Sequence, residues 1–222
     1  MRVIAINGSP REHGNTRLLL EAVLEPLAQA GWETEMVQIG GKNIHGCRAC
    51  HTCRKRQDKR CVTEDEFNEV FEKMLLADAI VLGSPTYVAD VTTEMKALID
   101  RACLVSGAND SALAGKVGAA VVVARRGGAI HAFDTINHLF FISQMIVPGS
   151  LYWNMGYGLE PGMVAGDAEA LANMGHLGQA IDWLGRAVQA SATPYPVRTI
   201  RMGQTGTKPE GAAAGESGIM RA

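Results

Sequence analysis

Four cysteines, Cys47, Cys50, Cys53 and Cys61, follow the spacing C-x2-C-x2-C-x7-C, and a fifth, Cys103, stands alone. Thiolates this crowded suggest metal or redox chemistry in a chain that stays reduced. A compact C-x2-C-x2-C run can supply three corners of a [4Fe–4S] cubane from one looped backbone, with Cys61 as the fourth ligand. Three other readings stay open: structural zinc, which usually takes two separated C-x2-C knuckles; a redox-active thiol pair; and the motif with no metal centre. Arg54, Lys55, Arg56, Lys59 and Arg60 lie between the third and fourth cysteines. They would offset the charge of a thiolate-ligated centre, attract an acidic electron-carrier protein, or simply be solvated. His45 and His51 flank the run as surface imidazoles, and Cys103 reads as a small core residue.

A second chemistry lies in the loops. Residues 8–16, GSPREHGNT, join an apolar run to a helical one. Ser9, Asn15 and Thr16 offer side-chain donors, Gly14 lets backbone N–H groups turn inward, and Arg11 adds charge. A helix N-terminus behind them favours an anion, so the loop suits a phosphate monoester. It is neither a Walker loop nor GxGxxG, and an ordinary capped turn has the same residues. Residues 84–89, SPTYVA, bring a stiff proline and a tyrosine able to stack on a planar ring. Residues 125–129, RRGGA, bring two glycines that admit a close ligand. Together the three loops suit a flat mononucleotide with a terminal phosphate, the shape of FMN.

The elements that must position these loops alternate. Strands are expected at 2–7, 33–39, 79–83, 116–124 and 146–152. Helices are expected from the Asn15–Thr16 cap to Gly31, over 64–77 with a Thr63/Glu66 capping box, over 92 to about 105, over 130–145 and over 168–190. Pro26 falls in the last turn of the first helix, where a kink is expected. This alternation predicts a parallel sheet covered on both faces, with ligands outside the carboxyl ends of the strands. Residues 1–190 form one domain with a cysteine-rich insertion at 44–62, and 191–222 form an extended or flexible tail. Residues 152–164, rich in glycine and aromatics, fit a substrate loop, a subunit contact or a self-packed connection equally.

GSPREHGNT, SPTYVADVTTEMKALIDR and the cysteine segment resemble the NADPH-dependent FMN reductase superfamily, and within it the iron-sulfur flavoprotein branch. The resemblance runs from residue 1 to about 188 and rests on the combination. It implies a flavodoxin-like three-layer α/β sandwich with a five-stranded parallel sheet of order 2-1-3-4-5 and the cysteine-rich loop after strand 2. It implies phosphate contacts from Ser9, Arg11, Asn15 and Thr16, and isoalloxazine contacts from Pro85, Thr86, Tyr87, Val88, Gly127 and Gly128. It also implies a homo-oligomer, dimer or tetramer, with a neighbouring subunit near the flavin.

The expected function is electron transfer by a redox flavoprotein using FMN and a [4Fe–4S] cluster, fed by an electron-donor protein or NAD(P)H. The alternatives are a cluster-free NAD(P)H-dependent FMN or quinone reductase, and a non-enzymatic flavin- or metal-sensing module. No catalytic acid or base is assigned, although Tyr87 and His131 lie near the expected site. A net charge of −2 gives no footprint for nucleic acid. With no apolar run approaching about 18 residues and no leader pattern, a cytoplasmic protein off the membrane is expected.

Overall fold

The computed structural model describes residues 1–198. Five parallel strands form one sheet in the order β2-β1-β3-β4-β5: β1 (Arg2–Asn7), β2 (Glu33–Gln38), β3 (Ala79–Pro85), β4 (Val117–Ala124) and β5 (Met155–Tyr157). This is the flavodoxin-like arrangement. The inner strands read as unbroken apolar runs because both faces are covered, and all eight residues of β4 are buried.

Alternate side chains leave opposite faces of each strand. Val3, Ala5, Val81 and Val121 pack on α1 (Asn15–Gln29) and α6 (Ala168–Ala190) through Leu20, Val23, Leu177 and Ile181. Ile4, Ile6, Leu82 and Val122 pack on the opposite layer, α3 (Phe67–Leu76), α4 (Thr93–Ala108) and α5 (Ala129–Ile142), through Phe67, Phe71, Leu98 and Phe140. α1 runs through Pro26 to Gln29, and the proline ring lies where α6 presents the bare Gly178.

Three expectations are corrected. The fifth strand does not run over 146–152. Ile146 only bridges Val117, the chain leaves the sheet at Pro148, and pairing resumes at Met155–Tyr157 against Val122–Ala124. Proline cannot donate to a ladder, so the edge strand breaks there. α3 begins at Phe67, not at 64. The capping box does not form, because Glu66 accepts from the Asn43 amide and Asp65 accepts from that of Phe67. The first helix takes Gly14, not Asn15 or Thr16, as its N-cap. A short helix unforeseen from sequence, α2 (Thr52–Arg56), sits inside the cysteine segment. Residues 191–198 form neither helix nor strand, and the rest of the expected tail lies outside the described residues.

Candidate functional site

The strand order reverses between β1 and β3, so a crevice opens at their carboxyl ends. A cavity there is lined by Ser9, Arg11, Asn15, Thr16, Pro85, Thr86 and Tyr87, joined by Val123, Arg125, Gly158 and Leu159. The loop after β1 is held from below by a network unforeseen from sequence. The Asn7 amide donates to Gln38 Oε1 at 2.7 Å, and Gln38 Nε2 donates to the carbonyls of Ser9 at 2.6 Å and Gly40 at 2.9 Å. Asn7 and Gln38 are register partners in adjacent strands, so two polar residues at paired strand ends were the available signal.

Within the loop, Ser9 Oγ accepts from the Arg11 amide at 3.2 Å, leaving its hydroxyl proton free for a ligand. Arg11 Nη1 donates to the Leu159 carbonyl at 3.0 Å. Asn15 Nδ2 donates to the Glu160 carbonyl at 2.9 Å, and Asn15 Oδ1 accepts from the Val164 amide at 3.3 Å. The β5–α6 connection thus docks on the first loop and forms one wall of the cavity. Within 152–164, residues 158–164 thus pack on the candidate site, while Tyr152 and Trp153 meet edge to face on the surface.

The second loop, after β3, is tied to the first by Thr92, whose Oγ1 donates to the Gly8 carbonyl at 2.9 Å. Thr86 donates its amide to the Val123 carbonyl at 2.7 Å, but Thr86 Oγ1 is buried without a partner beside the cavity. A buried hydroxyl lacking a partner is costly, and a polar ligand would satisfy it. Val88 and Ala89 occupy left-handed backbone, with φ of 50° and 63°, and Val88 is fully exposed. A β-branched residue there is strained by roughly 1–2 kcal/mol. Val88→Gly is therefore expected to raise the melting temperature by about 2–3 °C after the entropic cost of glycine, read by thermal unfolding. An unchanged or lower value would show the turn to be unstrained.

Val88, Gly127 and Gly128 do not line the cavity. Gly128, at φ 88°, caps α5, and a Cβ on it would come within 2.8 Å of Ala89 Cα, so the second and third loops press together. Tyr87 is half exposed, and His131 Nδ1 lies 3.7 Å from Asp90 Oδ2 on the surface.

Cys47, Cys50, Cys53 and Cys61 all line a second cavity, together with Arg101 and Leu104 of α4. Ala49 and His51 are left-handed, with φ of 50° and 53°, and turn the chain between successive cysteines so that the thiols share one hollow. Alanine gives no sign of such a turn, and histidine only a weak one. Burial pushes the Cys53 thiol up, with Cys61 and Cys50 adding to it, whereas the Thr52 hydrogen bond and Arg48 pull Cys50 down. Among the described residues no three His, Cys, Asp or Glu side chains converge tightly enough for a single ion. Cys103 lies outside this lining, and burial raises its thiol pKa.

A buried ion pair fastens the segment to α4. Arg101 Nη1 donates to Asp65 Oδ2 at 2.6 Å and to the His45 carbonyl at 3.0 Å, and Nη2 donates to the Thr63 carbonyl at 3.4 Å. The guanidinium lies 4.1 Å over the Phe67 ring. Burial works against its charge, but Asp65 and the Cys61 sulfur together hold its pKa above the ordinary arginine value.

Residues 1–160 match the family described as NADPH-dependent FMN reductase. The chain is 36% identical over 188 residues to an iron-sulfur flavoprotein of Methanocaldococcus jannaschii, covering 82% of this chain and 95% of that one. It is 37% identical over 151 residues to the iron-sulfur flavoprotein of Methanosarcina thermophila, covering 67% and 78%. Among solved structures, RosB with bound 8-demethyl-8-formylriboflavin-5'-phosphate superposes with a TM-score of 0.67 at 17% identity, covering 100% of this chain and 99% of that one, a likeness of fold. On this agreement of sequence, fold and crevice, the chain belongs to the NADPH-dependent FMN reductase family.

Proposed function

We propose that the protein is an FMN-dependent oxidoreductase that passes electrons through a [4Fe–4S] cluster held by Cys47, Cys50, Cys53 and Cys61. The observation that carries the reading is that all four cysteines line one hollow on the helix whose other end abuts the flavin cradle. Thr92 at the N-cap of α4 bonds the phosphate loop, and Arg101 lies nine residues on, about 14 Å along the axis. Relatives named iron-sulfur flavoproteins support the same reading.

The crevice fits FMN on its own chemistry. The free Ser9 hydroxyl proton, Thr16, Arg11 and the N-terminal dipole of α1 suit a phosphate, and the unpartnered Thr86 Oγ1 awaits a polar group. Asn15 already serves the β5–α6 connection with both ends of its amide, so its part in phosphate binding is through the second N–H of Nδ2. Pro85, Thr86 and Tyr87 would border the isoalloxazine within the cavity, and Val88, Gly127 and Gly128 would do so only where the ring extends past the cavity lining; the exposed Tyr87 ring is free to stack. Bound FMN would supply one- and two-electron chemistry, and the cluster single-electron steps. The four thiolates that line the one hollow would hold the cluster, and their crowded spacing suits a cubane better than the two separated knuckles usual for zinc.

The electron source is either a donor protein or NAD(P)H. The basic stretch from Arg54 to Arg60 lies beside the cysteines and favours an acidic donor protein, whereas the family's description favours the nicotinamide. Stopped-flow reduction separates them. Rapid bleaching of bound flavin by a reduced ferredoxin, with NADPH slow, supports the donor protein; the reverse supports the nicotinamide and a cluster-free reductase. The protein would act in the cytoplasm, where thiols remain reduced. It binds neither nucleic acid nor membrane in this reading, and no described helix is long and apolar enough to cross a bilayer. Exposed Phe141, Ile142, Leu151, Tyr152 and Trp153 suit a homo-oligomer, dimer or tetramer, which light scattering would count.

A further inference from the structure

Arg101 is 1% exposed, and its Asp65 partner is fully covered. The two terminal nitrogens are accounted for by Asp65 and the carbonyls of His45 and Thr63. Nε is not: it is buried and has no hydrogen-bond partner among the described residues. Buried donors are rarely left this way, so something in the finished protein should accept this proton. The surroundings narrow the choice. Phe67 covers the guanidinium face, Leu104 and Val105 are apolar, and the hollow that Arg101 helps to wall is lined by the four cysteines. Their sulfurs are the acceptors that the four cysteines bring to that hollow.

We propose that Arg101 is a positioning residue of the cysteine centre, donating its Nε–H to a thiolate sulfur of that centre and thereby setting the centre's reduction potential. The inference rests on the reading of the four cysteines as cluster ligands. Hydrogen bonds to cluster sulfurs tune the potential, and an N–H donor stabilises the more negative reduced state. Asp65 balances the guanidinium charge within 2.6 Å. What the sulfur feels is therefore mainly the directed N–H dipole rather than a free cation. A purely structural Arg101 would anchor residues 61–67 to α4 and leave the potential untouched.

The test uses the full chain purified without oxygen, as wild type and as Arg101→Lys, with iron and sulfide counted first and the potential taken by EPR-monitored titration. Lysine keeps a cation for Asp65 but has no Nε–H. The expected result is a loaded variant whose one-electron reduction equilibrium falls about tenfold, a potential about 59 mV lower. A fully loaded variant with the wild-type potential overturns the inference. Should Arg101→Lys fail to fold or load, the double variant Arg101→Met/Asp65→Asn decides, because it conserves net charge and leaves no unpaired buried ion. A lowered potential there is again expected, and an unchanged one again overturns the inference. A wild-type protein without iron sinks the cluster reading itself, which is a separate failure.

Discussion

Asp65→Ala is expected to lower the melting temperature by about 10 °C. Asp65 joins the cysteine segment to the fold by accepting from Arg101 Nη1 at 2.6 Å, the His45 amide at 2.9 Å and the Phe67 amide at 3.2 Å. Removing it strands a buried guanidinium, which typically costs about 3–5 kcal/mol. For a chain of this size each kcal/mol moves the midpoint by roughly 2–4 °C. Arg101→Met/Asp65→Asn should cost much less, because no charge is left uncompensated. The pH dependence has a definite sign. Burial opposes ionisation of Asp65, but Arg101 and the His45 and Phe67 amides outweigh it, so its folded pKa lies below the ordinary carboxylate value. Its contribution is therefore complete above the unfolded pKa of about 3.9 and is lost as pH falls through the lower folded value. The difference in midpoint between wild type and Asp65→Ala should shrink at acid pH. A loss under about 2 °C at neutral pH would show that the pair does not anchor the segment.

Gly40→Ala is expected to weaken FMN binding about 100-fold while leaving the sheet intact. A Cβ at Gly40 would lie 2.2 Å from both the carbonyl carbon and oxygen of Ser9. Backbone cannot yield as a side-chain tip does, so the loop after β1 must move by about 1 Å. That displaces the Ser9 hydroxyl and neighbouring amides, and losing one or two charge-assisted hydrogen bonds amounts to about 3 kcal/mol, or about two decades in Kd. Gly40 lies outside β2, and its one tie to β1 is its amide hydrogen bond to the Asn7 carbonyl at 3.1 Å, so the ladder of β1 and β2 itself is kept. Fluorescence titration of apoprotein with FMN measures the effect. Wild-type affinity would mean that the loop after β1 is not where the phosphate sits.

The parts of the fold legible in the sequence are those where a single local rule decides. β1 and α6 match their expected bounds, because a buried parallel strand is an unbroken apolar run and a long helix repeats its apolar face. The fifth strand was misplaced because residues 146–152 are apolar enough to qualify, yet Pro148 ends pairing on an edge where no second neighbour holds the chain.

Residue type gave the four cysteines and the three loops, but not how side chains are shared among distant segments. Asn15 has the chemistry of a cap or a phosphate ligand, but that its amide also engages Glu160 and Val164, some 145 residues away, is not visible in residue type. The turn at Ala49 carries no signal, because alanine has no preference for left-handed backbone. Arg101 was readable in part: it falls on the apolar face of α4 with Leu98, Ala102 and Val105, where a charge must find a buried partner. Which partner only the three-dimensional placement of Asp65 reveals.

The central claim is that one domain holds both FMN and a four-thiolate cluster. Its most direct test is purification of the full chain without oxygen, followed by flavin, iron and sulfide assays and a visible spectrum of the same sample. The account predicts one flavin and about four irons and four sulfides per chain, the iron and sulfide lost when Cys47 or Cys61 is replaced by alanine. Flavin without iron under those conditions would contradict it and leave a cluster-free reductase.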